Sequence, residues 1–298
     1  MFGFLQRVFP GLDPAPSTVG FDTARPLAGK QSRVLLLALL LSPGLCRAQA
    51  PADSTGPQWV VEQYLLAPAW PLKAEYYSGE MKARDRAEGT IGEAGVPVLR
   101  SSLHAVESGP TATVFTALIA PDRRPLDLYL YVVKEDAGWR LSAIRALWLP
   151  PLFYMLLDTL ANTPGLSDSD AAELQNMRLT VSTDSALKTF FHAHQPVLDS
   201  IAEAFGRDTV RSIAADEPGR AKRAPARAPA AQLAELHLKG VKRTPDAPGC
   251  VLLGVGGMID NEVGFMRCAG DARPPAMSVD RFILVDAVAP GWYLYKTT

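Results

Sequence analysis

The stretch 126–134, Leu-Asp-Leu-Tyr-Leu-Tyr-Val-Val-Lys, limits the fold more than any other part of the sequence. Leu126, Leu128, Leu130 and Val132 fall on one face and Asp127, Tyr129 and Tyr131 on the other. That two-residue period belongs to a half-buried antiparallel strand. Turn-forming residues bracket it, Pro-Asp-Arg-Arg-Pro at 121–125 and Glu-Asp-Ala-Gly at 135–138. Strands at 98–106, 112–120, 126–134 and 139–148 are therefore predicted to run as a meander. Pro57 suits the first turn of a helix with Trp59, Val60, Gln63 and Tyr64 on one face, and a second short helix is expected over 72–84. The expectation for 51–148 is an α+β unit, helices followed by an antiparallel strand meander.

The stretch 149–160 is apolar nearly all round. Such a helix is expected to be covered on most sides, so 149–165 reads as a connection lying between two packed units. Ser167 with Asp170 three residues on marks the next helix start. Leu187, Phe190, Phe191, His194, Leu198, Ile201 and Phe205 then form one helical stripe, which Pro196 should kink or split. The Ala/Pro/Arg-rich segment 215–232 has almost no bulky apolar residue and is expected to be flexible. Strands predicted at 233–241, 250–255, 262–268, 280–288 and 292–296 complete a second helical-then-antiparallel-β unit over 166–298. Both units contain a strand, a turn ending in Gly-Trp, and a strand, at Gly138-Trp139 and Gly291-Trp292. That repetition raises the expectation of a duplicated unit.

Residues 1–50 read as a leader. Lys30 and Arg33 precede the apolar run 34–41, then Ser42-Pro43-Gly44 and Ala48-Gln49-Ala50. This is the charged, apolar and small-residue order of a secretory signal peptide. The mature chain is expected to be exported, periplasmic or secreted, with no transmembrane segment, since a spanning helix needs roughly 20 apolar residues. Export leaves Cys250 and Cys268. They sit near the open ends of a predicted hairpin turning at 258–261, where an oxidising compartment would let them pair and a one-residue slip would forbid it. Two buried thiols are the alternative.

Charged residues make up 20% of the 298-residue chain and hydrophobic ones 48%, which excludes a collagen-like or wholly disordered chain. With 30 basic against 31 acidic residues there is no global pull toward nucleic acid. Gly-x-Ser-x-Gly, His-Glu-x-x-His, Cys-x-x-Cys and calcium-loop patterns are missing, and no cofactor is expected. His192 and His194, two apart, diverge on a helix and suit no metal. Gly254-Val255-Gly256-Gly257 precedes a strand rather than a helix, so it reads as flexible glycines entering a hairpin instead of a phosphate loop.

The run Asp-Leu-Tyr-Leu-Tyr-Val-Val-Lys-Glu-Asp-Ala-Gly-Trp-Arg-Leu-Ser-Ala-Ile-Arg at 127–145 resembles the closing strand pair of the nuclear-transport-factor-two-like superfamily. The resemblance covers 57–148, about a third of the chain, and implies a cone-shaped α+β domain with helices packed into a strongly curved sheet. The whole chain also resembles uncharacterised secreted bacterial proteins through Gly-Met-Ile-Asp-Asn-Glu-Val-Gly-Phe at 257–265 and Gly-Trp-Tyr-Leu-Tyr-Lys-Thr-Thr at 291–298. Isomerases, dehydratases, hydrolases, carriers and protein-binding modules share the superfamily, so it implies a fold and transfers no activity.

Within such a cone His104 and Asp127 are the candidate acid/base pair. Tyr129 and Tyr131, joined by Arg140 and Ser142 if Lys134 pairs with Trp139, are the candidate ligand-pocket lining. The expected role is a non-catalytic module of the cell envelope that binds a small apolar ligand or a protein. A small-molecule enzyme with its site in the cone and a scaffold for another protein are the rivals. An ionisable group in a pocket of roughly 300 Å³ or more would mark the enzyme. An apolar pocket would mark a carrier, and a filled cone with an exposed apolar patch a protein partner.

Overall fold

The computed structural model of the chain describes residues 56–83, 89–108, 112–119, 125–207, 212–214, 227–258 and 260–298. The leader 1–50 and the segment 215–226 lie outside them. The described residues form six α-helices and two antiparallel sheets, an α+β architecture. The first sheet is a meander of β1 (Val98–Ser108), β2 (Ala112–Ile119), β3 (Leu126–Glu135) and β4 (Gly138–Arg145). The second contains β5 (Ser212–Ala214), β6 (Gly240–Lys242), β7 (Cys250–Met258), β8 (Asn261–Cys268), β9 (Phe282–Ala289) and β10 (Trp292–Thr297), ordered β5-β6-β7-β8-β10-β9. The two Gly-Trp hairpins are thus wired differently: β4 is a sheet edge, whereas β10 sits between β8 and β9.

Pro57 opens helix α1 (Pro57–Leu66), whose Val60, Val61, Tyr64 and Leu65 are buried. They share a core with Leu128, Leu130, Val132 and Leu141 on one face of the first sheet. The single helix expected over 72–84 is instead a 3-10 turn, Lys73–Tyr76, followed by α2 (Gly79–Ala83). Between them Tyr77 bridges to Leu141 and the Ser78 amide donates to the Leu141 carbonyl at 3.0 Å. Gly79 at φ +46° turns the chain there, a backbone position that glycine adopts without strain. The Glu93 carboxylate ties this layer, accepting from Lys73 Nζ (2.7 Å) and from the amides of Thr90 (2.8 Å) and Trp70 (3.2 Å). Burial opposes its charge, but these donors outweigh burial and hold its carboxyl below the usual range.

The other face of the first sheet is also buried. Val114, Tyr129, Tyr131 and Ala143 belong to one continuous core with α4 (Asp168–Thr180), α5 (Asp184–Arg207), α6 (Arg227–Glu235) and the inner face of the second sheet. Ser167 caps α4, its Oγ accepting from the Asp170 amide at 3.1 Å. Helix α5 runs unbroken through Pro196. Pro196 is exposed, and so is His192, whose carbonyl loses its helical donor, so the loss falls on the solvent side.

The strand predicted at 233–241 and the flexible segment up to 232 are both corrected at their junction, because Arg227–Glu235 is helix α6. Alanines favour a helix, Pro229 lies in the first turn, and Leu233, Leu236 and Leu238 anchor it in the core. Helix α3 (Pro151–Asn162) is a second correction. Only Phe153 is buried, while Leu152, Met155 and Leu156 are 65%, 60% and 46% exposed.

Candidate functional site

The pairing of Lys134 with Trp139 does place Arg140 opposite Val133, but a bulge between Tyr131 and Val132 then shifts the register. Ser142 spends its hydroxyl on the Tyr131 carbonyl (3.0 Å), and the Arg140 guanidinium lies 5.4 Å from the Tyr76 ring. Tyr131 donates to the carbonyl of Ile283 at 3.0 Å, with that of Ser278 at 3.2 Å. Asp127, Tyr129 and Tyr131 thus face the second unit, and the face under α1 is packed with apolar side chains.

The polar residues on the far side of the first sheet build a charged seam with α5, β9 and β10. At its buried end Lys296 Nζ lies 2.7 Å from Asp184 Oδ1 and 3.4 Å from Asp127 Oδ2. Tyr129 donates to Asp184 at 3.0 Å, and the Asp184 amide donates to Asp127 at 2.9 Å. Burial, then the neighbouring Asp184 charge, pushes the Asp127 carboxyl up to about 6 against the pull of Lys296. Burial works against the Lys296 ammonium, yet the two aspartates raise its pKa. Burial and Asp184 also push the Tyr129 phenol well up.

One helical turn along α5, Lys188 pairs with Asp286 of β9, and His104 Nε2 lies 3.9 Å from the same carboxylate. The Thr116 hydroxyl is 3.0 Å from the His104 ring Nδ1. His104 and Asp127 therefore serve different parts of the seam: His104 partners Thr116 and Asp286, and Asp127 partners Asp184 and Lys296. The decisive partners, Asp184, Lys188, Asp286 and Lys296, carry no local motif. They lie far from β3 in sequence and meet it only through the fold.

A cleft of about 260 Å³ at the end of α5 is lined by Asp199, Glu203, Arg243 and Arg267 among others. Its charges are engaged. Trp292 donates to Asp199 (2.8 Å), Arg243 donates to the carbonyls of Phe205 and Gly206 (3.2 and 3.1 Å), and Arg267 donates to that of Pro290 (2.5 Å).

The glycines at 254–257 are explained by close packing. A Cβ on Gly256 would lie 2.0 Å from Thr180 Oγ1 and 3.3 Å from Asn176 Oδ1. Helix α4 rests directly on the β7 backbone here, with Asn176 Nδ2 donating to the Val255 carbonyl at 2.5 Å. Cys250 and Cys268 stand opposite each other in the β7–β8 register and are joined by a disulfide. His192 is exposed, and the His194 ring lies tilted against that of Phe190, their centroids 4.5 Å apart. Among the described residues no group of three or more His, Cys, Asp or Glu could hold a metal ion, and no helix is long and apolar enough to cross a membrane.

Compared with protein-family models, curated proteins and solved structures, the chain matches none.

Proposed function

We propose that the chain is an exported, non-catalytic module that binds another protein of the cell envelope, built on a nuclear-transport-factor-two-like first unit. The observation that carries the reading is the contrast between two apolar surfaces. The space between α1 and the first sheet, where a cone would hold a ligand, is taken by Val60, Val61, Tyr64 and Leu65 against the sheet. On α3, Leu152, Met155 and Leu156 stand exposed side by side. Clustered large apolar side chains on a surface mark an interaction site. The helix-on-meander arrangement of 57–145 supports the superfamily likeness. The signal-peptide pattern and the Cys250–Cys268 disulfide support export.

The test places a photo-crosslinking amino acid at Met155 in the full-length gene, expressed in the native host. A discrete protein adduct, absent when the crosslinker replaces exposed Gln175 instead, is the expected result. No protein adduct at Met155 would end the reading.

A further inference from the structure

We infer that the cleft at the end of α5 binds a small zwitterion, an α-amino acid with a short side chain, holding its ammonium on Asp199 and its carboxylate on Arg267. The site lies in the second unit and stands independently of the α3 face. Asp199, Ala202, Glu203 and Gly206 follow one another at helical spacing and form its α5 wall. Alanine and glycine within that stripe leave a gap that larger side chains would fill. The opposite wall is the open end of the β7–β8 hairpin, where Arg267 stands between Val251 on β7 and Trp292 on β10. Strand alternation puts Arg267 on the same face as Val263 and Phe265, both in the core. A half-buried arginine thus ends an inward-facing apolar row, at the point where α5 brings a half-buried aspartate.

Trp292 holds the two charges apart. Its indole N–H donates to Asp199 Oδ1 at 2.8 Å, and the Arg267 guanidinium lies over the same ring, 5.7 Å from its centroid. The ring is 1% exposed, so the core fixes it and, through it, both charged groups. Their contacts are with neutral partners. Arg267 Nη1 donates to the Pro290 carbonyl, and neither Asp199 nor Arg267 has an ionic partner among the described residues. Asp199 keeps Oδ2 as an acceptor, and Arg267 keeps Nε and Nη2, the pair that grips a carboxylate with two parallel bonds. Opposite charges on one indole that do not pair with each other suit a ligand carrying both signs a short distance apart. A simple anion would meet Asp199 and Glu203, and a simple cation would meet Arg243 and Arg267. Arg243 serves the helix end, donating to the carbonyls of Phe205 and Gly206. The cleft of about 260 Å³ is smaller than the roughly 300–1,000 Å³ of sites for drug-sized ligands, which matches an amino acid with a short side chain.

The experiment titrates protein purified from the full-length gene with L-alanine, L-serine and L-valine, read by isothermal titration calorimetry. At least one of them is expected to bind with a Kd of about 1 mM or tighter. For that amino acid, the N-acetyl form, which lacks the ammonium, and the amide, which lacks the carboxylate, should each bind at least about tenfold more weakly. L-tryptophan, too bulky for the cleft, should also bind at least about tenfold more weakly. Asp199→Asn keeps an acceptor for the Trp292 N–H and removes the charge, so it should weaken the amino acid while leaving the N-acetyl form unchanged. Arg267→Gln should weaken the amino acid while leaving the amide unchanged. Thermal melts check that both variants fold, and the comparison of analogues needs no variant, so it decides the matter even where a substitution unfolds the chain. No binding of any of the three amino acids, an N-acetyl or amide form that binds as tightly as its parent, equal binding of L-tryptophan, or indifference to both substitutions overturns the inference. The outcome at Met155 of α3 does not enter, so this site and the protein-binding reading stand or fall separately.

Discussion

Replacing Lys296 with methionine keeps the volume of the side chain and removes the one ammonium that two buried aspartates share. Lys296 is 3% exposed, against 12% for Asp127 and 10% for Asp184. At an effective dielectric of about 20, pairs 2.7 and 3.4 Å apart attract by about 5–6 kcal/mol each before desolvation is subtracted. The net cost of stranding a buried charge is smaller, about 3–5 kcal/mol. With a urea m-value of about 3 kcal/mol/M, Lys296→Met should lower the unfolding midpoint by about 1–1.7 M at pH 8, followed by tryptophan fluorescence. The penalty should shrink at pH 5, where protonating Asp127 relieves the two carboxylates. In the parent protein the carboxyl of Asp127 is raised from 3.8 to about 6. The folded state therefore holds this proton more tightly than the unfolded state. The stability it contributes is fully present below about pH 4 and is lost as pH rises through about 6, by up to about 3 kcal/mol. Asp127→Asn should flatten that part of the stability profile, and in the Lys296→Met background it should restore part of the loss. A loss under about 1 kcal/mol, or one equal at pH 5 and pH 8, would refute the account of two carboxylates leaning on one lysine.

Reducing the Cys250–Cys268 bond, which closes a sequence separation of 18 residues, should cost about 3 kcal/mol by the loop-entropy relation, read as a midpoint shift with and without reductant. Gly256→Ala should destabilise by several kcal/mol, roughly 2–4, because its Cβ meets Thr180 Oγ1; Thr180→Ala in the same chain should recover part of this in thermal melts. Phe153→Ala, on the buried side of α3, should cost about 3 kcal/mol, whereas Leu156→Gln on the exposed side should change stability by less than about 0.5 kcal/mol in the same titration.

The meander and its turns were legible because period-2 alternation and turn residues are local properties. What locality hides is the surroundings of each face. Alternation with Asp127, Tyr129 and Tyr131 on one side reads as a strand with one face wet or lining a pocket. The fold instead buries both faces, one under α1 and the other against α5 and the second sheet. The partners that make this tolerable, Asp184 and Lys296, are 57 and 169 residues from Asp127. No spacing rule reaches that far. Helix α6 was missed for a related reason: proline and alanine without bulky residues read as an unanchored segment, while the anchors Leu233, Leu236 and Leu238 lie at its far end and beyond.

Helix α3 shows the opposite failure. A helix apolar on all sides is expected to be covered on all sides, because in an isolated chain nothing else offsets the exposed surface. Such cover must come from the same chain only when no other molecule supplies it. Here the chain supplies cover for Phe153, Leu157 and Leu160 and leaves Leu152, Met155 and Leu156 in the open. On the proposed protein-binding reading, apolarity in excess of what the core can bury is the sequence trace of a contact made elsewhere.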